Sequence, residues 1–356
     1  MNGILTFIIL ILILGLLINI HELGHFIMAK KAKVHIYEFS FGMGPKLFSK
    51  KGKDGIDYSI RAFPIGGFVS MAGEVYDDAD SSVKKEDLMC NKSWINRLLI
   101  IIAGVANNFL LAIFLFFLSS LIWGHTEMKP YIGSVVDGYP AKEVGFEEGD
   151  LVLSVNGKNT ESWDMFILYI NTKNKKSDVY DIKVKKTNGE IKDYKISPKT
   201  EKKDDGTESR LFGFGASTKE YRGLWSSIKY AFFKFATSIH SMWVVIMSLF
   251  TGALSLNALS GPVGIYQVVG ESAKYGLQSI VGLTALLSLN LGFINILPIP
   301  AFDGGRALFL LIEKIMGRPI NQKIENTIHN IFFVLLMILM LLITFNDIIR
   351  LFWQIM

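Results

Sequence analysis

The run His21-Glu22-Leu23-Gly24-His25 places two imidazoles at positions i and i+4. On a helix those positions share a face. Two imidazoles on one face can grip a single metal ion, and the glutamate between them can reach a water beside it. Zinc lowers the pKa of such a water towards about 7. A carboxylate that takes the proton leaves hydroxide to attack a peptide carbonyl. The spacing therefore points to metal-assisted hydrolysis, with Glu22 moving the proton. The plainer alternative is an incidental polar helix end. It loses weight because the motif lies inside an apolar run, where ionisable groups are costly and mark function.

A catalytic zinc takes three protein ligands and keeps one position open. The third could be His35, His125, His240, His329 or a carboxylate. The better candidate is Asp303. In the stretch Asn295 to Gly305 an apolar run is broken by Pro298 and Pro300, then ends in Asp303 beside two glycines. Backbone freed by proline at membrane depth is tolerated only where it lines a protein cavity. A simple N-cap role for Asp303 is the competing reading.

The elements that must position these residues are long and apolar. Of 356 residues 50% are apolar and only 19% are charged, against roughly 25% charge in a soluble domain. The 26 Phe, 12 Tyr and 6 Trp exclude disorder. A single cysteine, Cys90, excludes a disulfide framework. Four stretches reach the roughly 20 residues a span requires: about Gly3 to Ala29, Leu98 to Trp123, Leu277 to Leu297 and Ile328 to Phe345. The first has no charged segment before it and no small-residue cleavage pattern after it, so it reads as a span and not as a signal peptide. A net charge of +5 could suggest nucleic acid. In a membrane protein, however, surplus Lys and Arg mark cytoplasmic loops, and no nucleic-acid partner is expected.

Lys30, Lys31 and Lys33 follow the first span, and further basic residues fill the loop to the second. The positive-inside rule puts that loop in the cytoplasm. Its stretch Asp77 to Asp87 is charged and solvated. Between about Met128 and Ser217 the composition turns soluble, with strand-like runs at Tyr131 to Val136, Asp150 to Val155, Tyr180 to Val184 and Lys192 to Ile196. Parity places this domain outside the cytoplasm. Leu224 to Phe250 is apolar but carries a polar stripe (Ser227, Lys234, Ser238, Ser241), which favours a helix lying in the interface. Asp303 reaches the cytoplasmic end of the first span only if this helix does not cross. His125 and His240 then lie on the outer side. Arg306, Lys314, Arg318 and Lys323 suit a cytoplasmic loop after the third span.

The two motifs, with a soluble domain between the second and third spans, resemble the site-2 protease family of intramembrane zinc metalloproteases, in its bacterial regulator-of-sigma-E type with one PDZ domain. The resemblance covers essentially the whole chain. It implies a polytopic α-helical membrane protein: four transmembrane helices, a membrane-associated β-hairpin and one inserted PDZ-like α/β domain outside the cytoplasm. The expected parts are residues 1–125 (first membrane core), 126–217 (PDZ-like), 218–276 (interfacial) and 277–356 (second membrane core). It implies zinc held by His21, His25 and Asp303, Glu22 as general base, and substrate contacts from Asn295, Pro298 and Pro300.

Further segments match. Phe41-Gly42-Met43-Gly44 resembles a glycine pair after the first span. Tyr58 to Met71 alternates around Gly66-Gly67 like a membrane-dipping hairpin, so Gly66, Gly67 and Phe68 are expected against substrate, whose extended segment could pair with the strand edge. An ordinary cytoplasmic ribbon is the alternative. Leu259 to Gly264 matches a stretch before the third span. In Ala103 to Phe109, Val105 stands where the family usually has proline; Asn107 and Asn108 could bond a neighbouring span.

The segments Tyr131 to Val135, Gly145 to Asp150 and Val155 to Gly157 resemble a PDZ domain. The Tyr131 to Val135 amides could receive a peptide carboxylate. The domain could instead act as a steric filter, the favoured reading. Expected substrates are single-span membrane proteins, such as anti-sigma factors or signal-peptide remnants, in the lipid bilayer of a bacterial cytoplasmic membrane, with the active site near the cytoplasmic face. A membrane scaffold and a metal transporter are the alternatives; neither explains Glu22.

Overall fold

The structure is a computed structural model describing residues 3–74, 83–172, 178–202, 208–254 and 259–355. Residues 77–82 of the charged loop lie outside the described residues. In chain order the first half comprises α1 (Gly3–Lys31), β1 (Ile36–Lys51), β2 (Asp57–Met71), α2 (Trp94–Trp123), β3 (His125–Thr126), β4 (Ile132–Val135), α3 (Pro140–Glu143), β5 (Leu151–Val155), β6 (Lys158–Asn159) and α4 (Trp163–Asn171). Then come β7 (Tyr180–Lys185), β8 (Ile191–Ile196), β9 (Lys199–Lys202), β10 (Glu208–Leu211), β11 (Phe214–Ala216), β12 (Glu220–Tyr221), α5 (Leu224–Phe250), α6 (Pro262–Lys274), α7 (Leu277–Ile296), α8 (Asp303–Met316) and α9 (Gln322–Ile355). Among the described residues, α1, α2, α5, α7 and α9 are long and apolar enough to cross a membrane. The mean hydropathy of α5 is 1.3, the lowest of the five, the others running from 1.7 to 2.9. Length and composition thus admit a fifth span beside the four expected.

The chain forms two compact units, residues 1–115 with 264–342, and residues 116–263 with 343–356. In the first, α1 is the central element. Its Ile13 and Leu17 pack with Val269 of α6 and with Leu283 and Leu287 of α7. Its lower end, at Phe26 and Ala29, packs with Val69 and Met71 of β2, Ile100 of α2 and Leu310 of α8. Close approach is enforced by glycine. A Cβ on Gly15 would lie 2.6 Å from the Pro64 carbonyl oxygen, and one on Gly24 would collide with the Ala103 carbonyl. Helix α2 is continuous, so the valine at 105 accompanies an unbroken helix.

The Tyr58 to Met71 stretch belongs to a larger ribbon. Tyr58 to Met71 lies within the single strand β2, and its partner is β1. The chain reverses at Gly52 to Ile56, where the Gly52 amide donates to the Ile56 carbonyl. Gly66 and Gly67 are interior to β2. The segment Glu38 to Phe41 pairs with Asp57–Ile60 in one sense and with Gly67–Ser70 in the opposite sense, so the chain turns again between Ile60 and Gly67.

In the second unit, four strands run in the order β6-β5-β7-β8, with separate pairs β4-β11, β9-β10 and β3-β12. β7 alternates, burying Tyr180, Ile182 and Val184, each burial contributing about 1.5–3 kcal/mol. Helix α4 starts at Ser162, whose hydroxyl accepts from the Met165 amide, and lays Met165, Phe166, Tyr169 and Ile170 on this core. The expected strands match β4, β5, β7 and β8 to within one residue at each end. Tyr131 to Val135 is not an open loop: it runs into β4, and the Ile132 and Val136 amides already donate to Asp150 and Gly213. At the start of α6, the Gly261 amide donates to buried Asp347 of α9 at 2.8 Å.

A buried ion pair braces this domain. Lys186 Nζ lies 3.0 Å from Asp150 Oδ2, with side-chain exposures of 8% and 0%. Burial alone would lower the Lys186 pKa, but the Glu147 and Asp150 carboxylates hold it above its usual range. Removing one partner strands the other. Lys186→Met is expected to cost about 3 kcal/mol, seen as roughly 100-fold faster amide exchange at Val152, Ile182 and Val184 in the full chain. Unchanged exchange would show the pair to be idle.

Candidate metal centre

Helix α1 presents His21, Glu22 and His25 one turn apart, and α8 begins with Asp303. The Nε2 atoms of His21 and His25 are 3.1 Å apart. Asp303 Oδ2 lies 3.0 Å from the first and 3.3 Å from the second. Among the described residues these three form the one group placed to share a metal ion. Four ligands at zinc distances of about 2.0–2.1 Å sit roughly 3.3 Å from one another around a tetrahedron. The three atoms make one face of such a figure and leave a vertex free.

The protonation pattern fits a cation. His25 Nδ1 faces the Ile100 carbonyl at 2.8 Å. A carbonyl only accepts, so Nδ1 carries a proton and Nε2 is the nitrogen left to act as a ligand. His21 Nδ1 faces the Asn108 side-chain amide at 3.2 Å. Ligation through Nε2 requires the Asn108 oxygen on that side, accepting from Nδ1–H. Three lone pairs then converge in a buried space, and Asp303 Oδ2 has no hydrogen-bond donor there. Such an arrangement is repulsive unless a cation lies between them.

Glu22 lies on the same helix, and its Oε2 accepts from the Val69 amide of β2 at 3.2 Å. One turn earlier, Asn19 Nδ2 donates to the Gly66 carbonyl at 3.1 Å. Hence Glu22 and Asn19 both dock on β2. Gly67 has no room for a side chain: a Cβ would lie 2.6 Å from Asn19 Oδ1. Phe68 is half-buried under the Arg61 guanidinium, 4.9 Å from its ring centre. Asn295 lies in the last turn of α7. Pro298 lines a cavity of about 170 Å³ with Val105, Asp303 and Leu308. Pro300 lies in the turn before Asp303. A larger, polar cavity of about 390 Å³ reaches that turn at Ala301 and includes Glu74, Arg97, Arg306 and Glu325.

The other histidines lie elsewhere. His35 is exposed beside Tyr37, His125 bonds Ser120 at 2.7 Å, and His240 lies 3.9 Å from Glu161. His329 Nδ1 accepts from the Ala301 amide. Of the two asparagines of α2, Asn107 bonds the Ile20 carbonyl of α1 while Asn108 faces His21. Sequence reasoning missed Gly104 and Asn19. A Cβ on Gly104 would lie 2.5 Å from His25 Nε2 and 2.7 Å from His21 Nε2, so this glycine is the floor of the site. Its spacing of four residues from Asn108 was the available signal.

Residues 9–339 match peptidase family M50. The chain is 33% identical to the zinc metalloprotease RasP of Bacillus licheniformis, over 99% of this chain and 100% of that one. It is 32% identical to the regulator of sigma-W protease RasP of Bacillus subtilis, over 98% and 99%. It is also 32% identical to the zinc metalloprotease RasP of Shouchella clausii, over 99% and 100%. A solved PDZ domain of the SdrC-like protein of Listeria monocytogenes aligns at 28% identity, over 26% of this chain and 90% of that one, with a TM-score of 0.21.

Gly104→Ala tests the floor of the site. The added methyl occupies the space between the two Nε2 atoms, and zinc content measured by metal analysis of the purified protein is expected to fall at least tenfold. Full zinc content would show that α2 can withdraw from α1.

Proposed function

The chain belongs to peptidase family M50, the site-2 proteases, and on that premise we propose that His21, His25 and Asp303 hold its zinc and that Glu22 is its general base. It is an intramembrane zinc metalloprotease. The ligand assignment is carried by the three lone-pair atoms 3.0–3.3 Å apart. Zinc supplies a Lewis acid that makes water nucleophilic near neutral pH. Glu22 takes the proton at its carboxylate and passes it to the departing peptide nitrogen. The Val69 amide orients that carboxylate against β2. The polar cavity at Ala301 supports water access to this end of the protein.

A helical peptide exposes no free carbonyl, so substrate is hydrolysed as an extended segment. Gly66, Gly67 and Phe68 on β2, with Asn295, Pro298 and Pro300 on the broken end of α7, are the surfaces assigned to hold it. The likeness to a regulator of sigma-W protease supports membrane-protein substrates. We assign single-span proteins such as anti-sigma factors, and signal-peptide remnants. The PDZ-like domain acts as a filter, because the amides at Ile132 and Val136 are already bonded within it.

Four helices cross the membrane and α5 lies in its interface. Lys234, well inside α5, pairs with Asp164 of the soluble domain, an arrangement that suits a helix lying against that domain. Helix α1 then runs inward, placing the site near the cytoplasmic face and the PDZ-like domain outside.

Glu22→Gln is expected to retain zinc and lose about 10³-fold in cleavage of a single-span substrate; full cleavage would overturn the assignment. Asp303→Asn is expected to lower zinc affinity, and unchanged metal content would remove Asp303 from the ligand set. Cysteine probes at Lys219 and Tyr275 are expected to label from the same side of the membrane. Labelling from opposite sides would make α5 a span.

A further inference from the structure

The segment that delivers Asp303 is a tight turn with an unfavourable residue in it. The Phe302 amide donates to the Ile299 carbonyl at 3.2 Å. Pro300 occupies the second position of this four-residue turn, and Ala301 the third, with φ of +86°. Proline second and positive φ third define a type II turn, whose third position favours glycine or asparagine. Alanine there is strained, because its Cβ crowds the backbone in the left-handed region.

The turn is packed directly on the start of α8. A Cβ on Gly305 would lie 2.5 Å from the Ile299 carbonyl oxygen, and one on Gly304 would strike the Leu297 carbonyl. Any relaxation of Ala301 therefore moves the backbone two residues before Asp303. In a type II turn the amide of the third residue points away from the turn. Here it finds one acceptor: His329 Nδ1 of α9, at 2.9 Å. The His329 ring is half-buried, 5.4 Å from the Phe309 ring of α8. Its Nδ1 accepts only when unprotonated, so its proton sits on Nε2.

We propose that His329 is a positioning residue for the metal centre: by accepting the Ala301 amide it holds the strained turn that aims the Asp303 carboxylate at His21 and His25. The proposal rests on the reading of Asp303 as a zinc ligand. Loss of an outer partner of a ligand typically costs 10–100-fold in metal affinity. Glycine at 301 adopts the turn without strain and reduces the need for the acceptor. This gives a signature that simple packing of α9 does not share.

The measurement is apparent zinc affinity of the full-length protein in detergent, by competition with a chromogenic chelator. His329→Leu is expected to weaken zinc by about 10–100-fold, while His329→Asn, which keeps an acceptor near Nδ1, stays within about threefold. Ala301→Gly combined with His329→Leu is expected to come within about threefold of Ala301→Gly alone. Unchanged affinity in His329→Leu, or a tenfold loss in the double variant relative to Ala301→Gly, overturns the proposal. If His329→Leu does not fold, His329→Phe, which fills the site without an acceptor, replaces it in both comparisons. Asp303→Asn is measured in parallel. Full affinity there would refute the ligand reading itself, whereas weakened zinc there with normal zinc in His329→Leu refutes only the role of His329.

Discussion

Everything in the first unit answers to one constraint: three lone-pair atoms from opposite ends of the chain must stand within 3.3 Å of one another in apolar surroundings. Charges and bare polar atoms at membrane depth are expensive unless paired. The protein meets that cost by tight backbone packing and by fixing each ring. Gly24 lets the α2 backbone touch α1, and Gly104 leaves the space between the imidazoles empty of side chain. The Ile100 carbonyl and Asn108 set which nitrogen of each histidine faces inward. A side chain on Gly104 would enter the space between the imidazoles, so the α1–α2 crossing and the spacing of the three atoms are one packing problem.

How much of this could be read from the chain depends on the distance over which each signal acts. The two imidazoles and Glu22 were legible because their spacing is set by a single helix. Asp303 was legible because prolines inside an apolar run are costly. Asn19 and His329 act across helix contacts or turns that no local period encodes. The hairpin was legible in part. Alternation from Tyr58 to Met71 marked extended chain, which reverses sense between Ile60 and Gly67. The further reversal at Gly52-Lys53-Asp54-Gly55, where Asp-Gly is a strong turn signal, was not singled out. The glycines at 66 and 67 answer to lack of space beside Asn19 and Met43.

The soluble domain was legible for a simpler reason. Its central strands are half-buried, so burial imposes a period of two on β7. The short strands β3, β9, β10, β11 and β12 carry too few residues to show any period. Helix α5 lies between these cases. Hydropathy alone makes it a possible span, whereas its buried Ser227, Thr237 and Ser238 and its ion pair to Asp164 tie it to the domain.

Hydrogen bonds join the hairpin to α1. Asn19 and Glu22 are three residues apart and share a helix face. The first donates to the Gly66 carbonyl and the second accepts from the Val69 amide. An exposed strand edge would otherwise be a template for any passing chain. On β2 that edge is met by two side chains of α1. A peptide strand pairing along Gly66 to Val69 would compete with Glu22 for the Val69 amide, since one N–H serves one strong acceptor well. On the reading of Glu22 as the base, its position and the occupancy of the strand edge are coupled through a single hydrogen bond of 3.2 Å.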